Sequence, residues 1–550
     1  MQFYKEFEKN ISQKKIEKLK IKIAKKKQLK SIPKNIYLNL NGRKIRTKPV
    51  RTQSGVAPVA IMTKPRDCDH GSCTFCCGGV NSHFGDVPKS YTGNEPASMR
   101  AIRNKFDAYL QVFNRLEHYI LLNQVPDKVE LIIMGGTFLS YPEEYQENFV
   151  KDAFKAMNDF GELFFVDNVL DKNKFKEFFE SDLDFRDKDR TAKIHKKLLS
   201  LKKSNKIDNN LEFEQLRNET GKIRCSVLVV ETKPDWCFEQ EINQVLKLGT
   251  TRVEIGIQTL NNQILKKTNR GHTLQDSIKC IQLLKDSFLK TTFHLMPGLP
   301  GSSKEEDINN FKELFSNQDF QPDGLKIYPC MVMPGTPLYR QYIKGSFKPI
   351  KTEEAAEIVI KGKKYIPRYA RVYRILRDIP TKYTTDGVGI TNFRQYLHQI
   401  MDDRNLKCQC IRCREPRNKE INWNHVKLKR IDYNASKGKE IFLSYDDTKN
   451  DILLGFLRLR IPYKPFRKEI TKNSMGIREI HIYGNTTSLG KRGPIQHHGL
   501  GKRLVETSEK IANEEYDMKK ILVTSGVGVR NYFYKLGYKR DGPYMAKKLN

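Results

Sequence analysis

The chain has 550 residues, a mean hydropathy of −0.62 and a formal charge of +35 from 99 Lys and Arg against 64 Asp and Glu. That length implies about three to four domains, and the lack of any run of ~18 apolar residues or of an apolar secretory start argues for a soluble, cytoplasmic protein with no membrane role. Eleven cysteines, in two clusters and four singles, exclude a disulfide framework, while the charge favours a polyanionic partner, nucleic acid first, over a general lysine bias.

Residues 1–30 hold eleven Lys and three Glu, with Phe3, Phe7, Ile11, Ile16, Leu19 and Ile23 at helical spacings. The pattern predicts a basic amphipathic extension over 1–45, able to offer lysines to nucleic acid or simply to be solvated.

From residue 58 apolar β-type runs alternate with amphipathic stretches: 59–62, 129–134, 225–231, 252–258, 291–296 and 325–329 are the predicted strands. Six β/α repeats predict a parallel sheet, open or barrel-like, across a domain of 46–347, with its active site at the strands' C-terminal ends. A charged stretch, 159–217, interrupts the rhythm and reads as an insertion, partly helical. Residues 348–425 read as a linker, and 426–550 as a compact α+β domain.

Just after the first strand comes CDHGSCTFCCGG, residues 68–79. Cys68, Cys73 and Cys76 form C-x4-C-x2-C, and Cys77 is adjacent to Cys76, so the natural ligand count is three. Structural zinc needs four ligands, for which His70 or Cys77 could be recruited. A four-iron cluster on three thiolates instead leaves one iron open to a small molecule. The second strand ends in Gly135-Gly136-Thr137, where backbone groups are exposed to a polar ligand.

These stretches, with ETKPDWC (231–237), TRVEIGIQ (251–258), NRGHT (269–273), MPGLPG (296–301) and LKIYPCMVMPGTPLY (325–339), resemble the catalytic subunit of Elongator from about residue 45 to the C-terminus, apart from 159–217. The resemblance implies an α/β chain: a partial (β/α)6 radical S-adenosylmethionine (SAM) barrel joined through a zinc-binding linker to an α+β GNAT-type acetyltransferase domain. It implies a [4Fe-4S] cluster on Cys68, Cys73 and Cys76, and SAM held by Gly135, Gly136 and Thr137. Glu254 and Gln258, on one face of their strand, are placed beside the cofactor, with a carboxylate paired to a nearby Arg or Lys as the alternative for Glu254; Lys326 on the last strand is placed against the acyl group or RNA, and Glu254 and Lys326 are catalytic candidates.

In the last domain PIQHHGLGKRLVE (494–506) contains Q-x-x-G-x-G before a helical run. In GNAT-type enzymes such a loop and helix N-terminus receive the pyrophosphate of coenzyme A, although an ordinary turn before a helix has the same letters. Gln496, His497, Gly499 and Gly501 are accordingly expected to bind acetyl-CoA. The resemblance adds an aromatic pair, Tyr532 and Phe533, beside the acyl chain, with Tyr532 also a catalytic candidate; the family usually has two tyrosines there. Core packing of Tyr532 is the alternative.

Cys408, Cys410 and Cys413 form C-x-C-x2-C and suggest structural Zn2+, with His398 as the tentative fourth ligand and His425 in reserve. Joining two cofactor domains suggests that a radical activates the acyl donor. The resemblance implies carboxymethylation of C5 of the wobble uridine (U34) of tRNA from acetyl-CoA, with the anticodon region as partner and other Elongator subunits or a second copy as further partners. The alternative is a protein lysine acetyltransferase whose local candidate base is Glu479; a non-enzymatic RNA-binding scaffold with two zinc sites is the third reading.

Overall fold

The computed structural model describes residues 55–550 except 185–186, 205–209, 418 and 485–497, and a scatter of positions before 55. Most of the predicted N-terminal extension therefore lies outside the described residues, as do Gln496 and His497.

Seven strands, Val56–Met62, Lys128–Met134, Arg224–Thr232, Arg252–Gln258, Lys290–Leu295, Gly324–Ile327 and Arg371–Ile375, pair side by side in chain order. Every pairing is parallel, and the outer two strands do not meet, which leaves a half-barrel rather than a closed one. The central run VEIGI is buried on both faces, as a parallel sheet covered by helices requires, whereas VELIIM nearer the first edge alternates buried and half-buried residues. Six strands match the sequence expectation. The seventh, RVYRI, lies inside the stretch read as a linker, so the sheet continues past residue 347.

Helices Ala108–Leu121 and Glu143–Phe164 cover the sheet near its first edge. The charged stretch after residue 159 folds back onto them: Phe160, Phe164, Phe175 and Phe179 form a fully buried aromatic cluster, with ring centroids 4.8–6.4 Å apart. Helices Lys172–Phe178, Lys188–Ser204 and Leu211–Thr220 build out from that cluster. The phenylalanines supply the apolar burial that the surrounding charges conceal in the sequence.

The last domain is a second seven-stranded sheet. Strands Val426–Ala435, Gly438–Asp447, Ile452–Ile461 and Ser474–Ile482 are successively antiparallel; Ser474–Ile482 pairs parallel with Lys520–Val523, followed by Tyr544–Lys548 and Lys539–Asp541. The parallel pair follows from the crossover helix Leu500–Lys510 between its strands, since parallel neighbours cannot be joined by a hairpin.

Buried ion pairs join the two sheets. Asp323, before the sixth strand of the half-barrel, accepts from Arg478 of the second sheet at 2.6 and 2.9 Å, and Asp286 accepts from Arg460 at 2.6 and 3.0 Å. Glu440 also accepts from Arg460 and Arg478, and none of these five groups is more than 1 % exposed. Charges so deeply buried persist only when paired and hydrogen-bonded, which ties each domain's folding to the other's position.

Among the described residues no helix is long and apolar enough to cross a membrane.

Candidate active site

The C-terminal ends of the half-barrel strands surround an open cavity of about 1100 Å³. Cys68, Cys73 and Cys76 line it from the loop after the first strand. Cys77 points the other way, into the main core, where burial pushes its thiol up to about 12, so it is a packing residue. Burial, then the neighbouring Cys76 and Cys73, raises Cys68 to about 11, while Lys89 and Lys233 oppose the rise.

Among the described residues, metal-ligand atoms crowd within 4.8 Å of one another in two places: Cys408–Cys410–Cys413 and Glu231–Glu254–His294. Cys68, Cys73 and Cys76 do not form such a group. The loop is braced for an anionic group: Arg270 donates to Cys73 Sγ at 3.3 Å, the Ser90 amide to Cys76 Sγ at 3.3 Å, and Lys89 reaches Asp67 at 2.8 Å and Ser72 at 2.9 Å. His70 sits 3.4 Å from Cys73 Sγ with Lys233 at 3.1 Å on its other nitrogen; burial and the cations Lys233, Arg270 and Lys89 lower it to about 4 and keep it neutral.

Gly136 and Thr137 line the opposite wall. Gly135 has φ of +142°, and a side chain there would collide with Thr63 Oγ1 at 2.1 Å, so it fixes the turn against the first strand instead of lining the cavity. Gln258 lines the cavity with φ of 72°, a left-handed conformation that costs a side-chain-bearing residue energy, and its Oε1 is buried without a partner. A strained residue aiming an unsatisfied acceptor into a cavity is suited to a polar ligand.

Glu254 and Lys326 differ from the sequence expectation. Glu254 is fully buried beneath the cavity and does not line it. It is paired with Lys326 and accepts from Arg252 at 3.2 Å, with His294 Nε2 at 3.1 Å. Burial opposes its charge, but Lys326, His294 and Arg252 outweigh burial and hold the carboxyl well below the ordinary range. Lys326 is raised despite burial, chiefly by Glu254. The pair is an ionised foundation with no proton to exchange. The cavity wall above it is made by His294 and by Glu231, which lies 3.4 Å from Lys326 and accepts from Tyr91 at 3.0 Å. Sequence reading missed Glu231, His294, Tyr91 and Arg270. The available signal was polar residues in otherwise apolar strands: the His294–Lys326 register places two of them side by side.

In the second sheet, Gly499 adopts φ of 74° at the start of helix Leu500–Lys510. Gly501, in its first turn, leaves room for the Tyr532 hydroxyl, which a side chain there would meet at 3.3 Å. That hydroxyl is buried and has no hydrogen-bond partner. His498, where the described loop resumes, stacks on Trp423 at 4.4 Å between ring centroids. Phe533 departs from the expectation: it is 1 % exposed within the domain core, edge-on to Tyr538 at 5.5 Å. Glu479 is also corrected as a base. It is paired with Lys290 of the half-barrel and accepts from Arg458 at 2.8 Å; these outweigh burial and lower it to about 2.

Cys408, Cys410 and Cys413 converge within 4.8 Å of one another, a group that neither His398 nor His425 joins. His425 Nδ1 instead lies 3.1 Å from Asn422 Oδ1.

Residues 62–314 match the Radical SAM superfamily, and 322–403 match the Radical_SAM C-terminal domain. The chain is 48 % identical over 514 residues to the tRNA uridine(34) acetyltransferase of Methanocaldococcus infernus, covering 92 % of this chain and 88 % of that one. It is 39 % identical over 555 residues to Elongator complex protein 3 of Schizosaccharomyces pombe, covering 96 % and 94 %. The chain belongs to the Elongator complex protein 3 family. The solved structure of the archaeal Methanocaldococcus infernus Elp3 with an N-terminal deletion superposes with a TM-score of 0.72 at 43 % identity, covering 90 % of this chain and all of that one.

Proposed function

We propose that this chain carboxymethylates C5 of the wobble uridine of tRNA, using acetyl-CoA as the carbon source. The observation that carries the reading is the cavity itself: Cys68, Cys73 and Cys76 line one space with Gly136, Thr137 and the strained, unsatisfied Gln258. Relatives named for tRNA uridine(34) and for Elongator supply the substrate.

A [4Fe-4S] cluster on Cys68, Cys73 and Cys76 with bound SAM would supply hydrogen-atom abstraction, the chemistry that makes an acetyl methyl carbon reactive toward an uncharged nucleobase carbon. The chain's own residues position and insulate. Arg270 and the Ser90 amide hold the thiolates; Gln258, Gly136 and Thr137 orient a polar ligand; the ionised Lys326–Glu254 pair fixes His294 and Glu231 at the cavity wall.

The second sheet supports a GNAT-type acetyl-CoA site: one parallel strand pair, a loop running into a helix N-terminus at Gly499, and a Tyr532 hydroxyl awaiting a partner. The ionised Glu479 weighs against a lysine acetyltransferase, because a carboxylate lowered to about 2 and spanned by two cations is a poor base. The three converging cysteines fit zinc. The zinc-scaffold reading of Cys68–Cys76 is disfavoured by the match of residues 62–314 to the Radical SAM superfamily.

Anaerobic reconstitution tests the function. Iron and acid-labile sulfide lost together in Cys73→Ser, with carboxymethyluridine formed by the wild type and not by the variant, support it. Zinc without iron in the wild type contradicts it.

A further inference from the structure

The sheet of the half-barrel leaves one side open, because its outer strands, Val56–Met62 and Arg371–Ile375, do not pair. Side chains from the segments that follow these two strands meet across the gap. The guanidinium carbon of Arg377 lies 5.6 Å from the centre of the Tyr91 ring, and Phe84 meets Tyr383 edge-on at 6.4 Å between centroids. Arg377 and Tyr91 both line the active cavity, so they form its wall on the open side.

Arg377 differs from the other four cations of the cavity. Lys89 is paired with Asp67 at 2.8 Å, Lys233 with Asp235 at 3.0 Å and Arg374 with Asp378 at 2.8 Å, while Arg270 donates to Cys73 Sγ and the Gly256 carbonyl. Arg377 has neither an ion pair nor a hydrogen bond among the described residues, and its contact is the Tyr91 ring. The acids that line the cavity are engaged elsewhere. Glu95 accepts from the Thr92 amide at 2.9 Å and from Ser98 Oγ at 2.8 Å, Glu231 is taken by Tyr91 and Lys326, and Asp378 by Arg374.

A half-buried guanidinium with every donor unused, set in a cavity wall, fits an anion that arrives from outside. Its planar fork matches two oxygens of a phosphate or of a carboxylate. The position favours the phosphate. Gln258 and the Gly136–Thr137 turn, which offer polar contacts to a small ligand, belong to the fourth and second strands, inside the sheet. Arg377 follows the seventh strand, beside the exposed Asp378, at the open side where a base in the cavity stays joined to the rest of its chain.

We infer that Arg377, seated on the Tyr91 ring, binds the phosphodiester adjoining the nucleotide whose base enters the cavity. The inference deepens the function proposed above and rests on it. It makes the substrate a nucleotide within a chain and not a free nucleoside, because the contact positions the backbone without reading the base.

The test uses the full chain, anaerobically reconstituted, as wild type, Arg377→Gln and Arg377→Lys. Dissociation constants are measured against salt for a U34 anticodon stem-loop, and for the same RNA with one uncharged methylphosphonate at the linkage 5′ or 3′ of U34; SAM affinity is measured alongside. Arg377→Gln is expected to bind the natural stem-loop roughly tenfold more weakly with a salt slope reduced by about one, while Arg377→Lys keeps the slope. At one of the two linkages the methylphosphonate should weaken the wild type about as much and cost Arg377→Gln nothing further. Unchanged SAM affinity in Arg377→Gln shows that the variant is folded. Neither methylphosphonate weakening the wild type, or losses that multiply with Arg377→Gln at both linkages, overturns the inference alone. So does a SAM affinity lost with RNA binding intact, which would assign Arg377 to the SAM carboxylate. Failure of the wild-type chain to bind the RNA overturns the proposed function and this inference with it.

Discussion

Arg270 joins Cys73 to the half-barrel sheet: Nη1 donates to Sγ at 3.3 Å while Nη2 donates to the Gly256 carbonyl at 2.6 Å. One guanidinium therefore ties the cysteine loop to the sheet and sets a positive charge beside Cys73 Sγ. Lysine keeps the charge but cannot bridge both acceptors. Arg270→Lys should lose roughly 1.5–3 kcal/mol of charge-assisted bonding and release iron faster to a chelator. Iron and sulfide per chain over time decide it; identical loss from both proteins would show that the bridge is idle.

The Lys326–Glu254 pair should couple strongly in stability. Lys326→Met leaves a fully buried carboxylate short of its main counter-charge, at a cost of roughly 3–5 kcal/mol. The double variant Lys326→Met/Glu254→Gln should be less destabilised than Lys326→Met alone. Urea unfolding of the wild type, Lys326→Met, Glu254→Gln and the double variant checks this, and additive losses would contradict the pairing.

Tyr532 makes the opposite prediction. Its hydroxyl is buried and unpartnered, so Tyr532→Phe should leave stability unchanged or slightly raised. Acetyl-CoA affinity should fall about two- to tenfold, the worth of one hydrogen bond. Calorimetric titration with acetyl-CoA reads the change, and unaltered affinity would return Tyr532 to a packing role.

Glu479 carries a pH dependence with a definite sign. Its folded-state value, about 2, lies below the ordinary 4.5, so its stabilisation is present above about pH 4.5 and is lost as pH falls toward 2. Glu479→Gln should remove on the order of 2–3 kcal/mol of stability at neutral pH and flatten the acid limb. Unfolding free energies from about pH 6 to about pH 3 test it; equal slopes in both proteins would contradict the Lys290–Glu479–Arg458 linkage.

The strands were legible because each is a run of β-branched or aliphatic residues between helical stretches. RVYRI escaped because three of its five residues are polar or charged and the strand lies at the sheet edge, where burial is incomplete. The three-cysteine loop was legible because spacing limits ligand number. Phe533 was misplaced because a motif fixes the helix but not which neighbouring residue faces the core: Tyr532 and Phe533, one position apart, diverge by about 100° around it. Glu231, His294 and Arg270 come from separate strands and loops, and only the parallel register brings them to one cavity.

The most direct measurement uses acetyl-CoA deuterated in the acetyl methyl, with reconstituted enzyme, reductant, SAM and U34 tRNA under anaerobic conditions. Deuterium is expected in 5′-deoxyadenosine, with the remaining label in the uridine carboxymethyl group, both read by mass spectrometry. Iron-loaded enzyme that forms 5′-deoxyadenosine without deuterium, or that places the label only in acetyl-lysine, would contradict carboxymethylation through the acetyl methyl carbon.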